Sequence, residues 1–365
     1  MGAPILCEVL RAGVPASLHR GHVAVADTDG RLLFYSGDPY FRTHARSVLK
    51  PLQLLGLIQS GAADAFCFSD EELAVMAGSH SGSAKHTGVV RGILSKIGLD
   101  ETALECGVHD PIDQEEGKLV HTGKRQPSGL HNNCSGKHAG MLAVCRHKGW
   151  DHKNYVSASH PVQEYMLDMA GRVMGTGEFR DMILAIDGCG VPTPYVELKS
   201  LAVGFARLSS SAAAGSTGAA SSGTGSPAAP TGAPPEARWP HAGALARIRR
   251  AMVSHPFMVA GRDRLCTAIM TVLKDDVVAK GGGEAVYCVA SRERGIGVCA
   301  KIEDGTFRAA GPAILESMRQ LGIAGERHVE ELAEFYRPAI KNCRGEVVGE
   351  IRACLQLEAR VPARQ

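Results

Sequence analysis

The residues best suited to chemistry stand in the segment Ser47-Val-Leu-Lys50, the only Ser-x-x-Lys sequence in the chain. On a helix, positions three apart share a face, so the Ser47 hydroxyl and the Lys50 amine can meet. A neutral lysine beside a serine can remove its proton, which makes the two a nucleophile and its base. Such a lysine must be desolvated or lie near other cations, and Arg46 could supply one. The same spacing also arises by chance in chains of this length, so an incidental pair stays open as the alternative.

Two glycine-containing segments elsewhere in the chain would suit close approach of a substrate. Residues 77–82, Ala-Gly-Ser-His-Ser-Gly, follow a predicted helix and place Ser79 among small neighbours. Residues 279–284, Ala-Lys-Gly-Gly-Gly-Glu, place Lys280 ahead of a glycine run and a predicted strand. Each segment also has a simpler interpretation, the first as a helix C-cap with a solvated loop and the second as a solvated turn lysine.

A third polar segment, residues 131–138, reads His-Asn-Asn-Cys-Ser-Gly-Lys-His and precedes an apolar helical stretch. Its Ser-Gly-Lys portion is not a phosphate-binding loop, because the required first glycine would fall at His131 and no Ser or Thr follows Lys137. Cys134 could pair with Cys189, in Asp-Gly-Cys-Gly, as thiolate ligands for zinc. Neither cysteine belongs to a Cys-x-x-Cys pair, so two core thiols remain the alternative.

The strands that must position these residues are predicted from alternating apolar patterns. Residues 22–35 alternate on either side of Asp29-Gly30, which predicts a β-hairpin. Residues 281–302 are rich in strand formers and contain a central turn. Hairpins interleaved with helices predict a mixed α/β chain of the α+β type, with a mostly antiparallel sheet and flanking helices.

Three helices are predicted around the candidate residues. Apolar positions at three- and four-residue spacing predict one that begins near Ser47. The capping box Ser69-Asp-Glu-Glu72 predicts a second helix, which ends at Gly78. A third is predicted to begin around Pro161, with apolar residues recurring along one face.

One segment has a composition that cannot build a core. From residue 209 to residue 235 every residue is Ala, Gly, Ser, Thr or Pro. Such a stretch buries too little surface to offset the entropy lost on ordering, so residues 209–237 are predicted to form a flexible, low-complexity insertion. Apolar pieces flank it on both sides, which favours an insertion within one domain that spans residues 1–365.

The overall composition excludes several classes of function. Lys and Arg total 40 and Asp and Glu total 38, and a net charge of +2 gives no reason to expect nucleic acid or an anionic membrane as partner. The apolar stretch at the N-terminus is too short for a secretory signal, and no run of about 18 apolar residues could span a bilayer. The eleven cysteines are scattered and often lie in apolar settings. We therefore expect a reduced, cytoplasmic protein whose thiols are mostly core residues.

Five of these segments, taken in order, resemble one known family, the class 3 (rhizobial-type) L-asparaginases. The segments are residues 43–53, 77–82, 131–141, 187–192 and 279–284. The resemblance covers nearly the whole chain outside the low-complexity segment. It implies a fold similar to that of serine β-lactamases and serine-dependent glutaminases, a homodimer, and L-asparagine as the small-molecule substrate.

The resemblance also implies roles for particular residues. It makes Ser47 the nucleophile and Lys50 its base, with Ser79 and Lys280 as a second Ser–Lys pair. It implies one zinc ion per chain. The ligands implied for that ion are Cys134, Lys137 and Cys189, with water completing the coordination. It places Arg46 and Asp187 at the substrate.

Three other functions stay open from the residues themselves. A penicillin-recognising peptidase or β-lactamase shares the Ser-x-x-Lys element, but the chain lacks the Ser-Asp-Asn and Lys-Thr-Gly elements of those enzymes. A serine-dependent glutaminase or another small-amide hydrolase would use the same residues. A non-catalytic protein that binds zinc through Cys134 and Cys189 would release no ammonia from asparagine.

Overall fold

A computed structural model of the chain describes residues 2–210 and 241–360, and its main sheet is built around one long strand, β2. The strands of this sheet are β1 Ile5–Arg11, β2 Val14–Asp27, β3 Leu32–Ser36, β7 Val277–Gly282, β8 Val286–Ser291, β9 Ile296–Ile302, β10 Ala339–Lys341, β11 Val347–Ala353 and β12 Glu358–Ala359. They pair antiparallel in the order β10-β11-β1-β2-β9-β8-β7, while β3 lies between β2 and β12. Every residue of β8 and β9 is buried, as expected for strands with both faces covered.

The remaining elements are a small sheet and the helices. The small sheet has the order β4-β6-β5, formed by Arg42–His44, Pro192–Glu197 and Leu184–Ile186. The helices are α1 Lys50–Gln59, α2 Ala62–Ala65, α3 Asp70–Ala77, α4 Ala84–Lys96, α5 Gln114–His121, α6 Ser135–Lys148, α7 Pro161–Met174, α8 Leu198–Ser210, α9 Ala242–Ser254, α10 Pro256–Ala260, α11 Leu265–Leu273, α12 Ala310–Gln320, α13 Glu326–Glu331 and α14 Ala333–Tyr336. The predicted mixed class, with a mostly antiparallel sheet and flanking helices, is confirmed.

Helices cover the main sheet and pack on one another beyond it. Helix α8 packs on β2, β8 and β9, and α12 packs on β1, β8, β9 and β11. The approach of α8 requires Gly297 on β9, because a Cβ there would overlap the Ala202 carbonyl. Helix α1 is central to the helical layer, where it contacts α3, α6, α7 and α9. The site described below lies where this layer meets the β7 edge of the sheet.

The predicted hairpin and the predicted strands of residues 281–302 are confirmed. Strands β2 and β3 pair from Val23 with Ser36 to Ala26 with Leu32. Asp27 Oδ1 stabilises the turn by accepting from the N–H groups of Asp29 (2.9 Å) and Arg31 (2.8 Å). These contacts are local, which is why the sequence pattern was sufficient to predict them.

Two of the three predicted helices begin where their capping residues indicated. Ser69 Oγ accepts from the Glu72 N–H, and Glu72 Oε2 accepts from the Ser69 N–H, so the capping box of α3 is present and the helix ends before Gly78. Pro161 begins α7. The helix predicted to begin near Ser47 differs in detail. Residues Arg46–Leu49 form a 3-10 turn, and the α-helix starts only at Lys50. Pro51 has no N–H to donate and therefore occupies the first turn of α1.

The predicted low-complexity insertion begins two residues too early. Helix α8 extends through Ser210, and Ser209 is buried, with its Oγ donating to the Ala290 carbonyl (3.5 Å). Helices α8 and α9, on either side of the segment, pack against each other. Residues 211–237 lie outside the described residues, so the insertion and the single-domain organisation remain predictions.

The cysteines are mostly core residues, as predicted. Eight of the eleven are buried and all are free thiols. In residues 2–210 and 241–360, every helix is too short or too polar to traverse a bilayer.

Candidate active site

Ser47 lies in the 3-10 turn Arg46–Leu49, immediately before α1. The preceding Arg46 has a φ of 50°, in the left-handed region that side chains rarely adopt. Its backbone N–H donates to Thr193 Oγ1 (3.0 Å) and its Nε to Asp187 Oδ1 (2.7 Å). Residues on and beside the small sheet therefore hold the bend that presents Ser47 to a cavity.

Lys50 is 1% exposed and reaches a second serine instead of Ser47. Its Nζ donates to Ser79 Oγ (2.9 Å) and to the Asn133 carbonyl (3.1 Å). The Lys50 N–H donates to the Ser47 carbonyl, so the two residues stand one 3-10 turn apart on the same face. Among the hydrogen bonds of the described residues, none joins Lys50 Nζ to Ser47 Oγ. The structure thus brings the pair to one site without the direct contact that the spacing suggested.

Ser79 stands in the loop after α3, where the chain packs on α10. Its N–H donates to the Val259 carbonyl (2.7 Å), and a Cβ on Gly78 would lie 2.7 Å from the same oxygen. Only glycine at position 78 lets the loop pack this closely. Ser79 Oγ accepts hydrogen bonds from two buried lysines, Lys50 and Lys280, so the loop is not simply a solvated helix cap.

Lys280 approaches Ser79 from strand β7 and is 1% exposed. Its Nζ donates to Ser79 Oγ (2.8 Å) and to the Gly281 carbonyl (2.6 Å). Burial, together with the positive charge of Lys50, lowers the pKa of Lys280 to about 7. A large fraction of this amine is therefore neutral at pH 7, and the alternative of a solvated turn lysine is wrong.

Strand β7 also passes the backbone of the turn that carries Ser47. A Cβ on Gly282 would lie 3.1 Å from the Val48 nitrogen and 3.2 Å from the Ser47 nitrogen. The first N–H groups of a helical segment have no partner within it, and they can stabilise a developing oxyanion. A residue without a side chain at position 282 leaves the space in front of these two N–H groups open.

Arg46 and Asp187 form an ion pair on the cavity wall. The Arg46 guanidinium also approaches Glu284 Oε1 at 3.4 Å. Burial raises the pKa of Asp187, but the charges of Lys137 and Arg46 outweigh it and hold that pKa below its usual value. A guanidinium beside a carboxylate suits a ligand that carries both a carboxylate and an ammonium group.

Cys134, Lys137 and Cys189 meet next to this pair, although they come from the start of α6 and from the loop after β5. All three are buried, and Lys137 Nζ donates to Cys189 Sγ (3.1 Å). A hydrogen bond from Cys189 lowers the pKa of the Cys134 thiol well below its usual range despite burial, and the same bond raises the pKa of Cys189. Burial opposes a charge on Lys137, but its interactions with the sulfur atoms of Cys189 and Cys134 raise the pKa of its amine.

The donor chemistry of these three side chains fits zinc. Thiolates are preferred zinc ligands, and a deprotonated amine offers a lone pair. Lys137 Nζ already lies 3.1 Å from Cys189 Sγ, and its charge also acts on Cys134, so an ion among the three side chains would replace their protons. Across residues 2–210 and 241–360, no group of three or more His, Cys, Asp or Glu side chains is placed to hold a metal ion. The lysine amine would therefore be an essential ligand.

The predicted site residues surround one cavity of about 790 Å³. Those that line it are Arg46, Ser47, Ser79, Cys134, Asp187, Cys189 and Lys280. Lys50 and Lys137 line a much smaller adjoining space, which they share with Arg46, Ser47 and Asp187. Residues from five separate segments thus gather at one place.

The cavity also contains polar residues that the sequence motifs do not include, among them Cys266, Tyr287 and His109. Cys266 Sγ accepts from the Gly281 N–H (3.2 Å) and from the Tyr287 hydroxyl (3.0 Å). His109 Nε2 accepts from the Asn133 N–H (2.9 Å). Cys266, Tyr287 and His109 belong to no motif in the sequence, so only the tertiary fold places them at the site.

Comparison with known proteins finds similar solved structures and one family. A crystal structure of a β-lactamase from Mycobacterium bovis matches with 12% sequence identity and a TM-score of 0.30, covering 82% of this chain and 94% of that chain. No curated protein matches the sequence. The model of the L-asparaginase II family matches residues 7–353, which include every predicted site residue, so the family resemblance is confirmed. The chain belongs to the L-asparaginase II family and is a hydrolase that acts on the amide of asparagine.

Proposed function

We propose that the protein hydrolyses L-asparagine to L-aspartate and ammonia through an acyl-enzyme formed on Ser47. One observation carries the proposal. Ser79 Oγ is held between Lys50 Nζ (2.9 Å) and Lys280 Nζ (2.8 Å), and Ser47 opens onto the same cavity. Two buried amines on one hydroxyl make a proton relay, which acyl transfer to a neighbouring serine requires.

Lys50 is the base that takes the proton of Ser47 Oγ, once it has passed its own proton through Ser79 Oγ to the neutral amine of Lys280. The two residues share a face of the 3-10 turn, and catalytic hydrogen bonds often tighten only when substrate binds. Lys50 Nζ therefore exchanges its bond to Ser79 for one to Ser47. Ser47 Oγ attacks the side-chain amide carbon, and the N–H groups of Ser47 and Val48 stabilise the oxyanion in the space left by Gly282.

Ser79 and Lys280 handle the protons of the leaving group. Lys280 returns its proton through Ser79 Oγ to the amide nitrogen, and ammonia leaves. Lys280, neutral again, then accepts a proton from the water that hydrolyses the aspartyl ester, and Lys50 returns a proton to Ser47 Oγ as the ester bond breaks. A last transfer through Ser79 Oγ moves the proton of Lys280 back to Lys50. The serine and both lysines return to their starting protonation states after each turnover.

Arg46 and Asp187 hold the amino-acid end of the substrate. The guanidinium binds the α-carboxylate and the Asp187 carboxylate binds the α-ammonium group, since both side chains are charged and line the cavity. This arrangement directs the side-chain amide of asparagine toward Ser47. Substrate without either α-group would lose one of these ion pairs.

Gly282→Ala is expected to lower kcat about ten-fold or more, because the added methyl group crowds the N–H groups of Ser47 and Val48. Steady-state release of ammonia measures the effect. Gly88→Ala is the matched control, since a Cβ at Gly88 in α4 meets nothing within 4 Å and its kcat should match the parent's. Equal kcat for Gly282→Ala and the parent would remove the oxyanion role of these N–H groups.

We extend the proposal to one zinc ion per chain, bound by Cys134, Lys137 and Cys189 together with water. When bound, the ion supplies positive charge that orients the substrate. The three side chains must lose their protons to bind it, so zinc affinity falls as the pH is lowered.

Cys189→Ala is expected to remove most of the zinc from a protein that otherwise contains about one ion per chain. Elemental analysis of protein prepared without chelators measures the metal content. Cys145→Ala, which removes a buried thiol of α6 away from the three proposed ligands, should change stability and keep the zinc. A parent protein that contains no zinc would contradict the metal site and leave the serine mechanism standing.

The family resemblance also leads us to propose a homodimer that acts in the cytoplasm. Light scattering on the purified protein measures the mass in solution, and cell fractionation measures the location. A monomer that is fully active would contradict the first of these proposals.

Ammonia release from L-asparagine and from L-glutamine tests the reaction and the substrate together. We expect ammonia and aspartate in equal amounts from asparagine and a much slower reaction with glutamine. A preference for glutamine would change the substrate but retain the acyl-enzyme. Zinc binding without ammonia from either amide would indicate a non-catalytic metal protein and overturn the proposal.

A further inference from the structure

The cavity is much larger than the amino acid that the proposed function places in it. Its volume of about 790 Å³ lies within the roughly 300–1,000 Å³ typical of sites that enclose drug-sized ligands. L-Asparagine is far smaller than such ligands. With its α-groups at Arg46 and Asp187 and its amide at Ser47, most of the cavity is left to a larger substituent.

Part of the cavity wall comes from segments that pack beside Lys280. Gly281, next to Lys280, donates to Cys266 at the start of α11. The neighbouring Leu265 lies 3.6 Å from the position of a Cβ on Gly311. We call the region lined by Leu265, Phe307, Pro312 and Phe335 the outer chamber. These four side chains are apolar, so the outer chamber suits an aliphatic or aromatic group.

Arg264 adds a positive charge to this apolar surface. Its side chain is partly buried and lines the cavity, and among the described residues its guanidinium makes no hydrogen bond or ion pair. Arg308, also on the cavity wall, is instead held by His19 Nε2 (2.9 Å) and Ser17 Oγ (3.1 Å). The cavity carboxylates of Asp263 and Glu334 are exposed to solvent. An unpaired guanidinium in a partly buried position suits a carboxylate of the ligand.

The charge of Arg264 also acts at the proton relay. Burial is the main cause of the lowered pKa of Lys280, and Arg264 contributes to it along with Lys50. Arg264, Ser79 and Lys280 also line the same cavity, so one ligand can contact both the guanidinium and the relay. A leaving amine that carries a carboxylate would place it within reach of this guanidinium.

We propose that the enzyme also hydrolyses β-aspartyl dipeptides whose second residue is an apolar amino acid. The proposal rests on the proposed function, because Ser47 and its relay carry out the same acyl transfer. The apolar side chain occupies the outer chamber and Arg264 binds the carboxylate of the leaving amino acid. Ser47 Oγ bonds to the β-carbonyl carbon as the isopeptide C–N bond breaks. The leaving nitrogen takes the proton relayed by Ser79, and water then hydrolyses the aspartyl ester.

Three substrates and two variants test this inference. The substrates are L-asparagine, β-aspartyl-leucine and the carboxamide of β-aspartyl-leucine, which lacks the negative charge. For each protein, kcat/KM for the dipeptide is divided by kcat/KM for asparagine, which cancels any effect of Arg264 on Lys280. Arg264→Gln should lower this ratio about ten-fold or more, the loss expected for one charge-assisted hydrogen bond. Arg262→Gln, which removes an exposed arginine paired with Glu115, should leave the ratio unchanged.

The carboxamide provides the second comparison. The parent should hydrolyse it less efficiently than β-aspartyl-leucine, and Arg264→Gln should hydrolyse the two equally. A parent that releases ammonia from asparagine but no leucine from the dipeptide would overturn the inference and leave the proposed function intact. A ratio unchanged in Arg264→Gln would overturn the role of Arg264, and a parent inactive on all three substrates would overturn the proposed function as well.

Discussion

Ser47→Ala is expected to lower kcat for asparagine hydrolysis by about 10³-fold or more, because the acyl-enzyme loses the oxygen on which it forms. Ser79 cannot replace it, since its Oγ is already engaged by Lys50 and Lys280. Ammonia release under saturating asparagine measures the loss. An asparagine analogue with an electrophile in place of the amide should label Ser47 in the parent, as located by peptide mass mapping.

The stability of the same variant separates a catalytic role from a structural one. No hydrogen bond of Ser47 Oγ is present among the described residues, so Ser47→Ala should melt within about 2 °C of the parent. Ser60→Ala, by contrast, is expected to lower stability and leave activity unchanged. Its hydroxyl donates to the Leu57 carbonyl (2.8 Å) away from the cavity, so its loss should cost about 1 kcal/mol of stability and no activity. If Ser47→Ala turned over asparagine at a rate close to the parent's, Ser47 would not be the nucleophile.

Lys280→Met should reduce kcat about 10²-fold and change the pH profile of the enzyme. The pKa of Lys280 is lowered to about 7, and the relay needs the neutral amine. For the parent, kcat/KM is therefore expected to rise with pH around a midpoint near 7. This limb should be absent in Lys280→Met, and Lys280→Arg should be as inactive because a guanidinium stays charged. A midpoint near 7 that persists in Lys280→Met would assign the titration to another group.

The free energy of unfolding should also depend on the titration of Lys280. The folded-state pKa of Lys280 lies below the value of about 10.4 for an unfolded lysine. Between these two pKa values the unfolded chain binds a proton that the folded chain lacks. The free energy of unfolding therefore increases as the pH rises through this range. Below pH 7 the cost of burying the charged amine is greatest. Denaturant unfolding of the parent relative to Lys280→Met, from pH 6 to pH 9, isolates this contribution.

The features predicted correctly from the sequence depend on residues that are close together in the chain. The capping box of α3 joins Ser69 to Glu72, and the β2–β3 turn is held by Asp27. Hydrogen bonds over three or four residues form with little loss of chain entropy, so residue type and spacing are sufficient to predict them. The same reasoning identified Ser47 with Lys50, although it placed the start of the α-helix three residues too early.

The chemistry of Ser79 and Lys280 could not be derived from local pattern. Each had a simpler interpretation as a loop residue, and only the family resemblance assigned them to the site. Their hydrogen bond joins residues 201 positions apart. Whether a lysine is solvated or buried depends on what packs around it, and burial is what lowers the pKa of Lys280 to about 7.

Residue types alone therefore predicted the Ser47–Lys50 pair, the β2–β3 hairpin, three helices and, through five matching segments, the family. The fold decided which lysine contacts which serine, that Lys137 donates to Cys189, and that Arg264 lines the cavity with no ion pair to any residue of 2–210 or 241–360. These relations depend on distance and burial between segments far apart in the chain. Such distances are set by how the helical layer packs against the β7 edge, and no periodicity in the sequence records them.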